Sequence, residues 1–197
     1  MKLELSKLAS GYELLGVLLA AFGLNIIPFA GPSNLLIASN AALAVDADPF
    51  TLGFLVALGS TSAKSIHYLV TFFLGRFLGG ERRKRLDVAG LKIRRWAFLA
   101  LFVAAASPIP DEPVVVPLGL LRYNPVKFCL AFFLGKLSIT IVGAYFGRFG
   151  QGALLSVTSQ EVLMVISIIL TIVVTVVLLK VDVGKIAEKV LKKVKGV

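Results

Sequence analysis

Long stretches of the chain are almost wholly apolar, with no strand-like alternation, and the polar positions gather between them. Three stretches, residues 50–75, 125–147 and 161–180, reach the roughly 20 apolar residues that a bilayer-spanning helix requires. The third is mostly Ile, Val, Leu and Thr, carries no charge over 162–179 and has no polar face, so it reads as a plain lipid-facing span. Two further apolar stretches, 11–45 and 96–122, are interrupted near their middles. The first interruption is Ile27-Pro28-Phe29-Ala30-Gly31-Pro32-Ser33, the second Ser107-Pro108-Ile109-Pro110-Asp111-Glu112-Pro113. Proline removes a backbone donor and its ring clashes with the preceding turn, so helices end at such clusters. The flanking halves are roughly 10–17 residues each, and the shorter ones cannot cross a bilayer alone. Each pair therefore predicts a re-entrant hairpin, a shape stable at depth only when protein or a wet cavity surrounds it.

The two halves of this pattern match. Asp48-Pro49 opens the first long span and Asn124-Pro125 the second. Ten residues beyond each proline stands a glycine, Gly59 and Gly135, and each span is expected to close on the same string, Gly75-Arg76-Phe77 and Gly147-Arg148-Phe149. The unit is a broken hairpin, a proline turn and a long helix, used twice. A hairpin returns the chain to its starting side and the long helix carries it across, so the second unit is inverted relative to the first. The expected organisation is repeat one over 11–79, a basic loop over 80–95, repeat two over 96–150, a C-terminal span over 161–180 and a basic tail over 181–197. Inverted repeats with broken helices at mid-depth are a transporter pattern, with the substrate site at the breaks.

Composition strengthens the membrane reading. Of 197 residues, 57% are hydrophobic and 16% charged, against about 45–50% and 25% in soluble domains. A disordered chain, a secreted disulfide scaffold and almost any soluble enzyme of this size are excluded. One cysteine, Cys129, permits no internal disulfide, and one histidine, His67, permits no multi-histidine metal site. There is no Ser/His/Asp set and no HExxH, so no catalytic residues, metal or cofactor is expected. Lys2 and Lys7 ahead of the apolar run Leu14–Phe22 look like the start of a signal peptide, but the run continues through Asn25 and Pro28 without a cleavage site and is read as mature structure.

The net charge of +10 is concentrated. Arg76, Arg82, Arg83, Lys84, Arg85, Lys92, Arg94 and Arg95 lie in one run, and Lys180, Lys185, Lys189, Lys192, Lys193 and Lys195 in another. Both abut apolar segments, where basic clusters face the cytoplasm and anionic headgroups. A nucleic-acid groove would interleave aromatic residues, and only Trp96 is close, as an interfacial anchor. Residues 76–95 and the C-terminus are thus expected in the cytoplasm, in a multi-pass protein of the cell membrane.

Within the apolar segments, Lys64, His67, Lys136, Asp111 and Glu112 stand out, because an ion at the bilayer centre costs about 2.5–3.5 kcal/mol or more. Two readings remain open for them. Either Lys64 or Lys136 neutralises Asp111 or Glu112 as a structural pair, or the four line a polar cavity that binds an anionic headgroup. His67 fits helix packing or a proton relay. Asn25, Asn34 and Asn40 flank the first break and either satisfy freed backbone groups or line the cavity. Arg148 reads as a snorkelling anchor and Cys129 as a buried thiol. Gly53, Ala57, Gly59, Ser60, Ser62 and Ala63 form a small-residue stripe suited to a helix interface.

Several of these strings together resemble the DedA superfamily, also called the VTT or SNARE-associated Golgi protein family. The resemblance covers roughly residues 20–150 and rests on Pro28-Phe29-Ala30-Gly31-Pro32-Ser33-Asn34-Leu35-Leu36, Gly75-Arg76-Phe77, Ser107-Pro108-Ile109-Pro110 through Pro117-Leu118-Gly119 with Phe128, and Gly135 to Gly147 with Tyr145. It implies an all-α polytopic fold with two facing re-entrant hairpins, here with an extra C-terminal transmembrane helix. It also implies lipid movement between leaflets, of polyprenyl phosphate or phospholipid, with a proton or sodium ion as the coupling candidate. Family members of bacterial origin carry an acid at the first hairpin and arginines around the second. Here the first break has Asn34, and the second has Asp111 and Glu112, with no arginine before Arg122. Lys64 and Lys136 are then the candidates for the positive charge.

The expected function is a flippase or scramblase for a phosphate-bearing lipid, with Lys64, Lys136, Asp111, Glu112, His67 and Asn34 at its site and Pro28, Gly31, Pro32, Pro108, Pro110 and Pro113 forming the breaks. An ion-coupled carrier of small solutes or cations and a non-transporting membrane organiser are the alternatives. The expected partners are membrane lipids and no nucleic acid; a homo-oligomer is left open.

Overall fold

A computed structural model describes residues 2–28, 32–75, 77, 80, 96–108 and 111–155. Gly31, Arg76, Pro110, residues 81–95, the expected span 161–180 and the tail 181–197 lie outside the described residues. Among the described residues there is no strand, and six helices are assigned here: α1 (Lys2–Asn25), α2 (Asn34–Ala44), α3 (Pro49–Leu74), α4 (Ala97–Ala106), α5 (Glu112–Leu120) and α6 (Pro125–Leu155).

Both proline clusters break the chain, as their missing donors require. Helix α1 ends at Asn25 and α2 restarts at Asn34; α4 ends at Ala106 and α5 restarts at Glu112. At 1.5 Å per residue, α2, α4 and α5 are each about 14–17 Å long, half of a hydrocarbon core of about 30 Å. Helix α1 departs from the expected half-length: its 24 residues start at Lys2, because no breaker separates the polar first turns from the apolar stretch Gly11–Asn25.

Local chemistry sets the long helices. Asp48 accepts a hydrogen bond from the Thr51 N–H at 3.0 Å, and Pro49 occupies the first turn, where its missing donor costs nothing. Asn124 caps α6 in the same way, accepting from the Lys127 N–H at 3.1 Å. Helix α3 stops at Gly75, but α6 does not stop at Gly147-Arg148-Phe149. It continues to Leu155, because nothing after Gly147 interrupts it and Gly147 serves instead as a point of close approach.

Helices α3 and α6 lie antiparallel at the centre. Thr140 Oγ1 donates to the Gly53 carbonyl at 2.8 Å, Phe54 meets Phe133 edge-on, and Ser65 lies 3.5 Å from Cys129. Helix α1 packs on α3 and α4 on α6, while the second legs cross over, α2 to α6 and α5 to α3. Matching glycines make matching contacts. A Cβ on Gly59 would come 2.5 Å from the Leu18 carbonyl of α1, and one on Gly135 would come 2.5 Å from the Phe102 carbonyl of α4. Gly75 abuts the Leu120 carbonyl of α5 and Gly147 the Ser39 carbonyl of α2, at 2.8 and 2.4 Å for such a Cβ. Ser62 of the expected small-residue stripe points outward and bonds the Leu58 carbonyl of its own helix.

Two apolar cores result. Val17, Ala21, Ile37, Ala38, Leu52, Val56 and Ala144 form one around the first hairpin. Tyr68, Leu101, Val115, Leu118, Phe128 and Phe132 form the other around the second. Large apolar side chains nevertheless stay exposed along the outer faces, including Leu15, Leu19, Phe50, Phe73, Val126, Leu130 and Phe146. Apolar surface of that kind marks a lipid or protein contact. Cys129 also lies on this exposed face and not in the core, since α6 turns Phe128 and Phe132 inward instead. Among the described residues one helix segment, Pro125–Gly150, is long and apolar enough to cross a membrane. Helix α3 has comparable length but is diluted by its glycines, hydroxyls, Lys64 and His67.

Candidate functional site

Four ionisable side chains meet where the second hairpin turns between the two long helices. Asp111 precedes α5 and Glu112 opens it, with Pro113 in the first turn. Carboxylates suit that place, because the first turn of a helix presents unpaired N–H groups and the positive end of the peptide dipoles. Packing of α5 on α3 brings these acids to Lys64, and α6 supplies Lys136 from the other side.

The contacts form a line of alternating sign. Glu112 Oε1 accepts from Lys64 Nζ; Lys64 Nζ lies 3.4 Å from Asp111 Oδ1; Lys136 Nζ lies 2.7 Å from Asp111 Oδ2. None of the four side chains is more than 6% exposed. Lys136 also sits over the Phe132 ring, 5.2 Å from its centroid. Two lysines and two carboxylates cancel in formal charge, as burial demands, since each ion taken from water costs several kcal/mol unless paired. Asp111 is the hinge of the set: its carboxylate touches a lysine from each long helix, and its Oδ1 has no hydrogen bond in proper geometry.

Along α3 the order is first core, Lys64, second core, and along α6 it is second core, Lys136, first core. The ions thus lie between the two apolar cores. The repeat contains a signal for this that the glycine and proline matches leave out. Lys64 stands eleven residues before Gly75 and Lys136 eleven before Gly147, so the two lysines occupy equivalent positions.

Two residues expected at the site, Asn34 and His67, make their hydrogen bonds to residues of the first break and not to the four ions. Asn34 pairs with Asn25 in a reciprocal amide contact of 3.0 and 3.1 Å, and Asn25 also donates to the Ala21 carbonyl at 2.8 Å. The first break is therefore closed by neutral amides between the end of α1 and the start of α2. His67 Nε2 lies 2.7 Å from the Ile26 carbonyl, which the break frees from its helix, so Nε2 carries the proton and Nδ1 is left buried and unpartnered. Asn40 bonds the Leu36 carbonyl of its own helix. Pro28 and Pro32 lie at the first break, Pro108 and Pro113 at the second.

Arg148 does more than anchor a helix end. Its Nη2 donates to Asp46 Oδ1 at 3.0 Å and to the Ala47 carbonyl at 2.7 Å, tying the α2–α3 turn to α6. Tyr68 OH donates to the Tyr123 carbonyl and secures the α5–α6 turn against α3.

The family model of the VTT domain matches residues 31–149, from the first break through the Arg148 clamp, and includes all four buried ions. No curated protein and no solved structure matches the chain. The match covers more than half of the chain, and the all-helical fold with its broken hairpins agrees with it: the protein belongs to the VTT-domain family of DedA and SNARE-associated Golgi proteins, a membrane-associated family.

Proposed function

We propose that this protein is a membrane transporter that moves a phosphate-bearing lipid, such as a polyprenyl phosphate or a phospholipid, between leaflets. The observation that carries the reading is the buried line Glu112–Lys64–Asp111–Lys136 at the tip of the second hairpin. Apolar residues would fill that space at lower cost, so ions retained there call for a role beyond packing. The lysines are held by carboxylates at rest. A phosphate entering between the hairpins competes with Asp111 for Lys64 and Lys136, and a proton or sodium ion taken up by the acids compensates the displaced charge.

The helix exchange between α2 and α5, the matched glycines and the matched lysines support an inverted repeat whose halves rock about α3 and α6. In this reading the exit of α3 faces the cytoplasm, as positive charge in the run 76–95 favours.

Reconstitution with labelled polyprenyl phosphate, and separately with labelled phospholipid, tests the proposal by the rate of leaflet exchange. Exchange is expected to fall in Lys64→Ala, Lys136→Ala and Asp111→Ala proteins that still run as monodisperse particles. Unchanged exchange in all three removes the mechanism. A second reading, an ion-coupled carrier of small solutes or cations, draws on Asp111 Oδ1, which is ion-paired with Lys64 but makes no hydrogen bond in proper geometry. Solute uptake by sealed vesicles without lipid exchange selects it.

A further inference from the structure

The end of α5 departs from its own backbone chemistry. The helix finishes in a double hydrogen-bonded turn, with the Arg122 N–H donating to the Gly119 carbonyl at 2.9 Å and the Tyr123 N–H to the Leu118 carbonyl at 3.0 Å. That turn needs a left-handed residue after the cap, a place ordinarily held by glycine or asparagine. Here it is held by Arg122 at φ 52°, which is the one non-glycine residue with positive φ among the described residues. A side chain kept in strained backbone points to a use for that side chain.

The surroundings of the guanidinium narrow the use. It lies over the Phe72 ring of α3, 5.5 Å from the centroid. No carboxylate among the described residues pairs with it, and its Nε is buried without a hydrogen-bond acceptor. A guanidinium with no carboxylate partner among the described residues and an unmet N–H is suited to an oxyanion from outside the chain, and its fork of donors matches phosphate. Its position suggests the source. Helices α3 and α5 finish and α6 begins at this end, Lys127 is exposed one turn away, and the chain re-enters at Trp96, which is 61% exposed. Tryptophan and basic side chains together mark the headgroup level of a membrane. We propose that Arg122 binds the phosphate of an anionic lipid headgroup at this end of the bundle, a site separate from the buried ions.

The full chain in phosphatidylcholine vesicles, with and without phosphatidylglycerol, tests this. Thermal unfolding is followed through Trp96, the chain's one tryptophan. The unaltered protein is expected to melt higher when phosphatidylglycerol is present. Arg122→Gly relaxes the backbone while removing the guanidinium, so it should melt at least as high as the unaltered protein in phosphatidylcholine alone and lose the phosphatidylglycerol increment. Arg122→Lys, which keeps the charge but not the fork, should retain a smaller increment. An undiminished increment in Arg122→Gly overturns the site, as does a lower melting point of that variant in phosphatidylcholine, which would make the arginine a packing residue only. Inorganic phosphate reproducing the increment without phosphatidylglycerol overturns the lipid assignment.

Discussion

Removing one member of a buried ion pair strands its partner, at about 3–5 kcal/mol. Asp111 is the only carboxylate within ion-pair distance of Lys136 among the described residues, whereas Lys64 also has Glu112. Asp111→Ala, which strands Lys136, is therefore expected to lower stability by about that amount, and Lys136→Met by less, because Asp111 keeps Lys64, both read as detergent-solubilised denaturation midpoints. The double variant Asp111→Leu/Lys136→Met removes the pair whole and should recover most of the loss, a strongly non-additive cycle. If the ions serve only to lock the hairpin, the double variant keeps lipid exchange; in the transport reading it folds and does not exchange. That these four residues need partners was legible in the sequence, because ions in apolar segments are costly unless compensated. Their pairing was not: Lys64 and Glu112 are 48 positions apart. The pairing of Asn34 with Asn25 was not legible for the same reason, since an amide beside a break can face either the cavity or the opposite leg.

At the scale of elements, each hairpin leg finds its support on a long helix rather than chiefly on its own partner leg. Two glycines make that possible on equivalent faces, Gly59 against α1 and Gly135 against α4. Gly59→Val and Gly135→Val should each force the hairpin away from backbone that cannot yield, with loss of the folded monodisperse form on size-exclusion chromatography. Gly16 has open space around it, so Gly16→Ala is the matched control. It should be neutral or stabilising by about 0.5–1 kcal/mol, the helix preference of alanine over glycine. Proline clusters made the breaks readable, because a missing donor acts within one turn of chain. The run of α6 past Gly147 was not readable, since glycine in a helix tolerates two meanings, a stop or a close contact, and only the approach of Ser39 selects the second.

For the whole molecule, the two hairpins are closed by different chemistry. Neutral amides, Asn25 with Asn34, hold the first; ion pairs to both long helices hold the second. Ionic contacts respond to an arriving anion and amide pairs far less, so the second hairpin is the half expected to move. A cysteine pair placed to cross-link α5 to α3 should abolish exchange, whereas one joining α1 to α3 should leave it largely intact. Orientation has its own check. A reporter fused to the C-terminus is expected to read as cytoplasmic, and an external reading would reverse the assignment made from the basic runs.

What the sequence determined by itself is what acts locally or in bulk: helices ended by proline, an apolar excess that calls for lipid, and charges in apolar segments that must find partners. What only the tertiary structure decided is which side chains meet. On a helix each residue turns by about 100°, so a lysine one position away would face a different neighbour. That rotation, set by glycine contacts between α3, α6 and the hairpin legs, brings Asp111 between two lysines, sends Asn34 to Asn25, and holds Arg122 against Phe72.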